Sequence, residues 1–233
     1  MTGLHATVIL AISADGKITD VVRSPARFGS AKDKAHLEQQ VAASDAVLFG
    51  NGTLQAYGTT MRVISPELVK QRELQGKPAQ PVQIVCSRSS QFDPNLRFFQ
   101  QPVPRWLLTG QDSRETAVPS PYAMTNSKFD RIIYAKTAGG EIDWIDAFQQ
   151  LANFDIKRLA ILGGGKLVAS VLAAGLVDEL WLTVCPLILG GADAPTPVEG
   201  KGFLADLAPK LQLLAVKQVG QEVFLHYKVD RSI

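Results

Sequence analysis

The sequence predicts an α/β fold: one domain spanning residues 1–233, with a mostly parallel central sheet of about eight strands, helices on both faces and an antiparallel hairpin at the C-terminus. Three observations predict it. Short continuous apolar runs, such as Ala6–Ser13, Asp45–Phe49 and Val82–Cys86, have the length of strands buried on both faces. Segments of helical spacing separate them. The last two runs, Leu211–Val219 and Glu222–Val229, are joined by Gly220-Gln221 alone, a link that forces an antiparallel pair.

Composition narrows the function classes. Hydrophobic residues make up 46% and charged residues 20%, with a net charge of +2, so nothing calls for nucleic acid or an acidic membrane surface as a partner. No apolar run approaches the about 20 residues of a spanning helix. The opening MTGLHATVILAIS has no basic lead and flows into a strand pattern, so a cytoplasmic protein is expected. Cys86 and Cys185 sit in apolar runs and are expected to be buried free thiols. His5, His36 and His226 show no ligand spacing with them, so no metal is expected.

Taken in order, Ala6–Ser13 is the first strand and opens into Ala14-Asp15-Gly16-Lys17. Turns at the carboxyl ends of sheet strands are where α/β proteins place ligands. Asp15 and Lys17 are therefore candidate site residues, and the same residues also suit a solvated Asp-Gly turn. Ser30 can cap a helix over Ala31–Ala43, on which His36 and Glu38 are expected to be solvated. Asp45–Phe49 is a strand ending in Gly50-Asn51-Gly52-Thr53, where Thr53 can cap a short helix through Tyr57 or offer its hydroxyl to a ligand. Ser65-Pro66 starts a helix to about Leu74. Val82–Cys86 is a strand followed by Ser87-Arg88, a hydroxyl and a guanidinium that suit a phosphate monoester or an ordinary polar loop. Arg105–Thr109 and Arg131–Ala135 are further strands, and Gly110–Lys128 between them reads as a loop. Trp144–Phe154 is a helix with Asp143 as its cap.

The next stretch is the most informative. Leu159–Leu162 is a strand that stops at Gly163-Gly164-Gly165; Lys166–Ala174 is a helix, with Gly175 as its stop; Leu180–Cys185 is a strand closed by Pro186. This is a parallel βαβ pattern with a right-handed crossover. Backbone without Cβ lets a ligand approach, and the N–H groups and dipole of the following helix favour an anion such as a pyrophosphate. A bare turn would use the same residues. Neither G-x-G-x-x-G nor a P-loop is present, because Val168 and Leu167 stand at the positions those patterns reserve for Gly and Ser/Thr.

Together, S-x-D-G-K (Ser13–Lys17), G-x-G-T (Gly50–Thr53), Ser87-Arg88, the triple glycine and A-G-L-V-D-E-L…P-x-x-L-G-G (Ala174–Gly191) occur in an order that resembles the reductase domain of bacterial and archaeal riboflavin biosynthesis, related in fold to dihydrofolate reductase. The resemblance covers nearly the whole chain. It implies an NADPH-dependent reductase that delivers hydride to the ribose C1 of a phosphoribosylamino-pyrimidine, working as a homodimer through the C-terminal strands. By resemblance, Gly163, Gly164, Gly165, Lys166 and Leu167 hold the pyrophosphate. Gly50, Asn51 and Thr53 line the nicotinamide side, Ser87 and Arg88 take the 2′-phosphate, and Thr109 flanks the adenosine. Asp15 is the proton-donor candidate by position, and Lys17 is its competitor, which can instead orient a substrate hydroxyl; Ser13, Arg27, Ser30 and Arg62 are the substrate-side candidates. The zinc deaminase domain often fused upstream in this family is not expected within this chain. The family commonly shows Glu-Gly-Gly where this chain has Gly163-Gly164-Gly165, and Tyr57 and Thr59 occupy the region of an expected Asp and Pro. Two alternatives therefore stand beside the pyrimidine: reduction of another small carbonyl, imine or pterin-like compound, and nucleotide binding without turnover.

Overall fold

A computed structural model describes residues 3–112 and 128–230. Most of the loop expected over Gly110–Lys128 lies outside the described residues. The strands are β1 (His5–Ser13), β2 (Ala46–Gly50), β3 (Val82–Cys86), β4 (Arg105–Gly110), β5 (Arg131–Ala135), β6 (Thr137–Ala138), β7 (Glu141–Ile142), β8 (Arg158–Ile161), β9 (Glu179–Cys185), β10 (Lys210–Val219) and β11 (Glu222–Asp230). The helices are α1 (Ala31–Ala43), α2 (Asn51–Tyr57), α3 (Pro66–Leu74), α4 (Trp144–Asn153) and α5 (Gly165–Ala173).

The main sheet has nine strands, in the order β10-β11-β9-β1-β8-β2-β3-β4-β5. The expected count of about eight is corrected to nine. Seven neighbouring strands, β9 through β5, are parallel, and β11 alone runs against them. The sequence pattern put β8 and β9 in one βαβ unit; in the sheet β1 lies between them and pairs in parallel with both. A small antiparallel hairpin, β6–β7, accompanies the main sheet; each of its strands is two residues long, too short to leave a pattern in the sequence.

Strand alternation sorts the core into two layers. Val8, Leu48, Ile84, Leu108, Ile133 and Ile161 face α4 and α5, which contribute Phe148, Leu151, Leu167 and Val171. Their neighbours Ile9, Val47, Phe49, Val85, Leu107 and Ala160 face the other way, toward Val41 of α1, Leu54 of α2 and Leu68 of α3. Helices thus cover both faces, which is why the strands read as unbroken apolar runs. The helix ends match their sequence signals. Ser30 accepts from Lys32 N and Asp33 N, Ser65 from Leu68 N, and Asp143 from Ile145 N and Asp146 N.

Two helix residues expected to be solvated are not. Glu38 is buried, and its Oε1 accepts from the N–H groups of Ile64 and Ser65 at 2.6 and 2.7 Å, joining α1 to the start of α3. His36 packs between Trp181 and Phe224, with ring centroids 4.6 and 5.2 Å away. Both thiols are free; Cys185 is buried and Cys86 half-buried. Burial pushes each up to about 12, so neither is a nucleophile at neutral pH.

Candidate active site

All the turns that the sequence singled out lie along one edge of the sheet. Parallel strands share a carboxyl end, so Leu187–Gly191 after β9, Asp15–Lys17 after β1, Gly163–Gly165 after β8, Gly50–Thr53 after β2 and Ser87–Arg88 after β3 follow one another in space. From β8 to β4 is three strand spacings, about 14 Å. A small ligand cannot cover that span, and an extended one can.

The middle of the edge is a backbone cradle. Gly50 N donates to Gly163 O at 3.2 Å, and Gly164 N donates to Thr53 Oγ1 at 3.1 Å, so the turns after β2 and β8 form one unit. Thr53 therefore joins the two turns rather than capping α2. Gly163 has φ +110° and Gly164 φ +33°, backbone that favours glycine. Neither α2 nor α5 has a side-chain cap at its start. Their first N–H groups have no intrahelical acceptor and point, with the helix dipole, at this edge. A Cβ built on Gly50 or Gly52 meets nothing within 4 Å, and one on Gly164 meets only Thr53 Oγ1, at 3.7 Å. The cradle is open and suits an anionic bridge such as a diphosphate. Gly165 is different: its Cβ would run into Thr196 O and come within 2.6 Å of Glu199 Cγ. That position is glycine because the loop after β9 packs on it, and only its N–H faces the site. Leu167 likewise has a core side chain and can offer only backbone; Lys166 is exposed.

At the β1 turn, Asp15 accepts from Ser13 Oγ at 2.6 Å, Leu189 N at 3.1 Å and Gly190 N at 2.6 Å. These donors, Ser13 first, pull its carboxyl from 3.8 down to about 2. A group that is ionised at neutral pH has no proton to give. The expectation that Asp15 is the proton donor is corrected: Asp15 ties the β1 turn to the β9 loop. Ser13 is buried, and its Oγ also accepts from Lys17 N at 2.9 Å, so it too holds the turn. Lys17 is left as the cation of this turn, with Nζ donating to Ala194 O at 3.3 Å.

The remaining candidates divide. Ser30 is committed elsewhere: its N and Oγ both donate to the buried Glu222 carboxylate, at 2.7 and 2.6 Å. A carboxylate beside it repels a phosphate, so its substrate role is withdrawn. Arg62 lies between Thr60, bonded to Gln83, and Val63, bonded to Gln80, at the amino end of β3. It is at the opposite end of the sheet from the glycine turns, and its assignment is withdrawn on that ground. Arg27 is exposed in the loop after β1, beside Ala26, whose carbonyl accepts from Tyr57 Oη at 2.9 Å. Ser87 is buried and accepts from Ser90 N at 3.2 Å, while Arg88 extends into solvent. Thr109 is buried under Ser90, whose Oγ donates to it at 3.3 Å, so it supports that turn and does not flank a ligand directly. Glu141, Glu199 and Glu222 are site-edge carboxylates that the sequence reading missed; their partners lie far away in the chain, and no local pattern marks them.

The family model for the RibD C-terminal domain matches residues 5–225. The chain belongs to the RibD C-terminal domain family. Two archaeal members of similar length are each named 2,5-diamino-6-ribosylamino-4(3H)-pyrimidinone 5′-phosphate reductase. The one from Archaeoglobus fulgidus is 26% identical over 93% of this chain and 94% of its own. The one from Methanothermobacter thermautotrophicus is 28% identical over 94% and 95%. The riboflavin biosynthesis protein RibD of Escherichia coli is 28% identical over 93% of this chain and 58% of that longer protein. Among solved structures, a pyrimidine reductase-like protein from Corynebacterium diphtheriae superposes with TM-score 0.79 at 23% identity, over 98% of this chain and 93% of that one. Dihydrofolate reductase from Enterococcus faecalis, in complex with NADP(H), has TM-score 0.50 at 11% identity over 99% and 98%, which places the RibD C-terminal domain within the same general fold. No helix among the described residues is long and apolar enough to cross a membrane.

Proposed function

We propose that this chain is a single-domain, cytoplasmic, NADPH-dependent reductase acting on a phosphoribosylamino-pyrimidine of riboflavin biosynthesis. The names of the two archaeal relatives, which match it nearly end to end, supply the substrate class. One observation carries the reading: the two uncapped helix starts and open glycines after β2 and β8, bonded to each other, form an anion cradle on the strand-end edge. The N–H groups of Gly165, Lys166 and Leu167 hold the diphosphate, the bare backbone of Gly163 and Gly164 lets it approach, and Gly50, Asn51 and Thr53 line the nicotinamide side. Ser87 and Arg88 face the 2′-phosphate, in line with NADPH.

Reduced nicotinamide, when bound, supplies the hydride for C1 of the ring-opened sugar imine. The protein supplies position and charge. Asp15 fixes the β1 turn against Leu189 and Gly190. Lys17, whose Nζ donates to Ala194 O in the same joint, is the cation proposed to donate a hydrogen bond or proton to the nitrogen that gains electrons. Arg27 is the remaining basic candidate for the substrate phosphate. A different small carbonyl or imine substrate is favoured by one feature. At Gly163 a side chain would be strained by φ +110° and would come within 3.2 Å of Leu10 Cδ2, so the family glutamate has no place there.

The test is Gly52→Ala together with turnover. Gly52 lies in open space near the start of α2, so alanine leaves folding intact or strengthens it by up to about 1 kcal/mol. If the cofactor lies against the start of α2 as proposed, the added methyl crowds it, and NADPH binding is expected to weaken at least about tenfold, with loss of pyrimidine-dependent NADPH oxidation. Unchanged NADPH affinity would remove the cradle. NADPH binding without oxidation by the pyrimidine would favour the other substrate. The proposal includes a homodimer formed through β10.

A further inference from the structure

The turn after β3 meets a carboxylate that the proposed function does not use. Arg88 Nη1 donates to Glu141 Oε1 at 2.8 Å, across 53 positions in sequence. The small hairpin delivers Glu141 there. Gly139 and Gly140, with φ +59° and +78°, make the tight turn between β6 and β7, and Glu141 follows directly. The hairpin is anchored to the sheet. Thr137 Oγ1 donates to both carboxylate oxygens of Asp112 at 2.9 Å, and Thr137 Cγ2 lies 2.6 Å from where a Cβ on Gly110 would stand.

Among the described residues, Glu141 places a negative charge directly on the Arg88 guanidinium, where a phosphate would bind. A ribose 2′-phosphate, with about −1.5 to −2 charge, competes with Glu141 for the Nη1 donor and feels its negative charge beside the guanidinium. A ribose 2′-hydroxyl can instead donate to a carboxylate, as the acidic residue does in sites for the unphosphorylated cofactor.

We propose that Glu141 is a specificity-determining residue: it holds Arg88 and tempers the preference for NADPH, leaving NADH a usable ligand. The proposal rests on Arg88 being the 2′-phosphate residue of the proposed function. The two side chains are 70% and 73% exposed, so the pair adds little to stability and can exchange partners. Cofactor choice is then set by competition for one guanidinium.

Glu141→Gln tests it, with dissociation constants for NADPH and NADH read from cofactor fluorescence on the purified protein. NADPH is expected to bind about fivefold tighter, as fits loss of one exposed competing charge, while NADH binds no tighter than before. The gain should shrink as salt rises and vanish when Arg88→Ala is added. An unchanged NADH-to-NADPH ratio, or equal shifts for both, overturns the role of Glu141 while leaving the reductase reading in place. Binding of neither cofactor to the unmodified protein overturns both.

Discussion

Asp15 shows how far a side chain's role depends on its donors. From position alone it is the carboxyl nearest the chemistry. Three donors hold it ionised, and it serves as the clasp between the β1 turn and the β9 loop. Its pKa falls from 3.8 to about 2 on folding. The folded state thus binds the proton more weakly than the unfolded chain. The stability Asp15 contributes is therefore fully present above about pH 4 and is lost as pH falls toward about 2. Asp15→Asn removes that dependence. Denaturant unfolding at pH 5 and pH 3 is expected to show a smaller loss of stability on acidification for the variant than for the parent. Its hydride-transfer rate at neutral pH should fall with the parent's pH profile unchanged, because the clasp is weakened and no titrating acid is lost. A lost acidic limb in that profile would return Asp15 to the role of proton donor.

The elements differ in how openly the sequence announces them. The buried strands and helices of the parallel sheet were legible from apolar runs and local caps, because burial on both faces and an N-cap are short-range signals. The polar joints were not. Glu38 reads as one more solvated helix residue until Ile64 and Ser65 bring their N–H groups to it. Ser30 reads as a cap available to a ligand until Glu222, 192 positions on, takes its hydroxyl. β10 is the element whose pattern remains unanswered in a single chain. Leu211, Leu213, Leu214 and Val216 are 46%, 52%, 46% and 56% exposed on an edge strand. Such an edge invites pairing with another chain, which is the proposed dimer. Replacing Leu213 and Val216 together with Lys is expected to shift sedimentation from dimer to monomer without unfolding the sheet, since neither side chain is buried within the protomer. A dimer unaffected by this change would place the interface elsewhere.

At the scale of the molecule, spatial order and chain order diverge, and that divergence makes the site. β8 is made late yet lies between β1 and β2, so the triple glycine comes to rest between the Asp-Gly-Lys turn and Gly50–Thr53. The sequence shows each turn; only the sheet shows that they are neighbours. A dinucleotide bound as proposed would span the turns after the second, third and eighth strands, and unfolding would break all of those contacts together. Binding should therefore raise the melting temperature of the protein as a whole. At about 100 times its Kd, a ligand adds about 2.7 kcal/mol, worth about 5–10 °C for a chain of this size. NADH at the same concentration, if bound tenfold more weakly, adds about 1.4 kcal/mol and roughly half the shift. Arg88→Ala should bring the NADPH shift down toward that of NADH and leave the NADH shift alone, if Arg88 meets only the 2′ group as proposed. Equal shifts for the two cofactors in the parent protein would detach Ser87 and Arg88 from the 2′-phosphate while leaving the glycine cradle untouched; no shift with either would mean that the edge does not hold a dinucleotide.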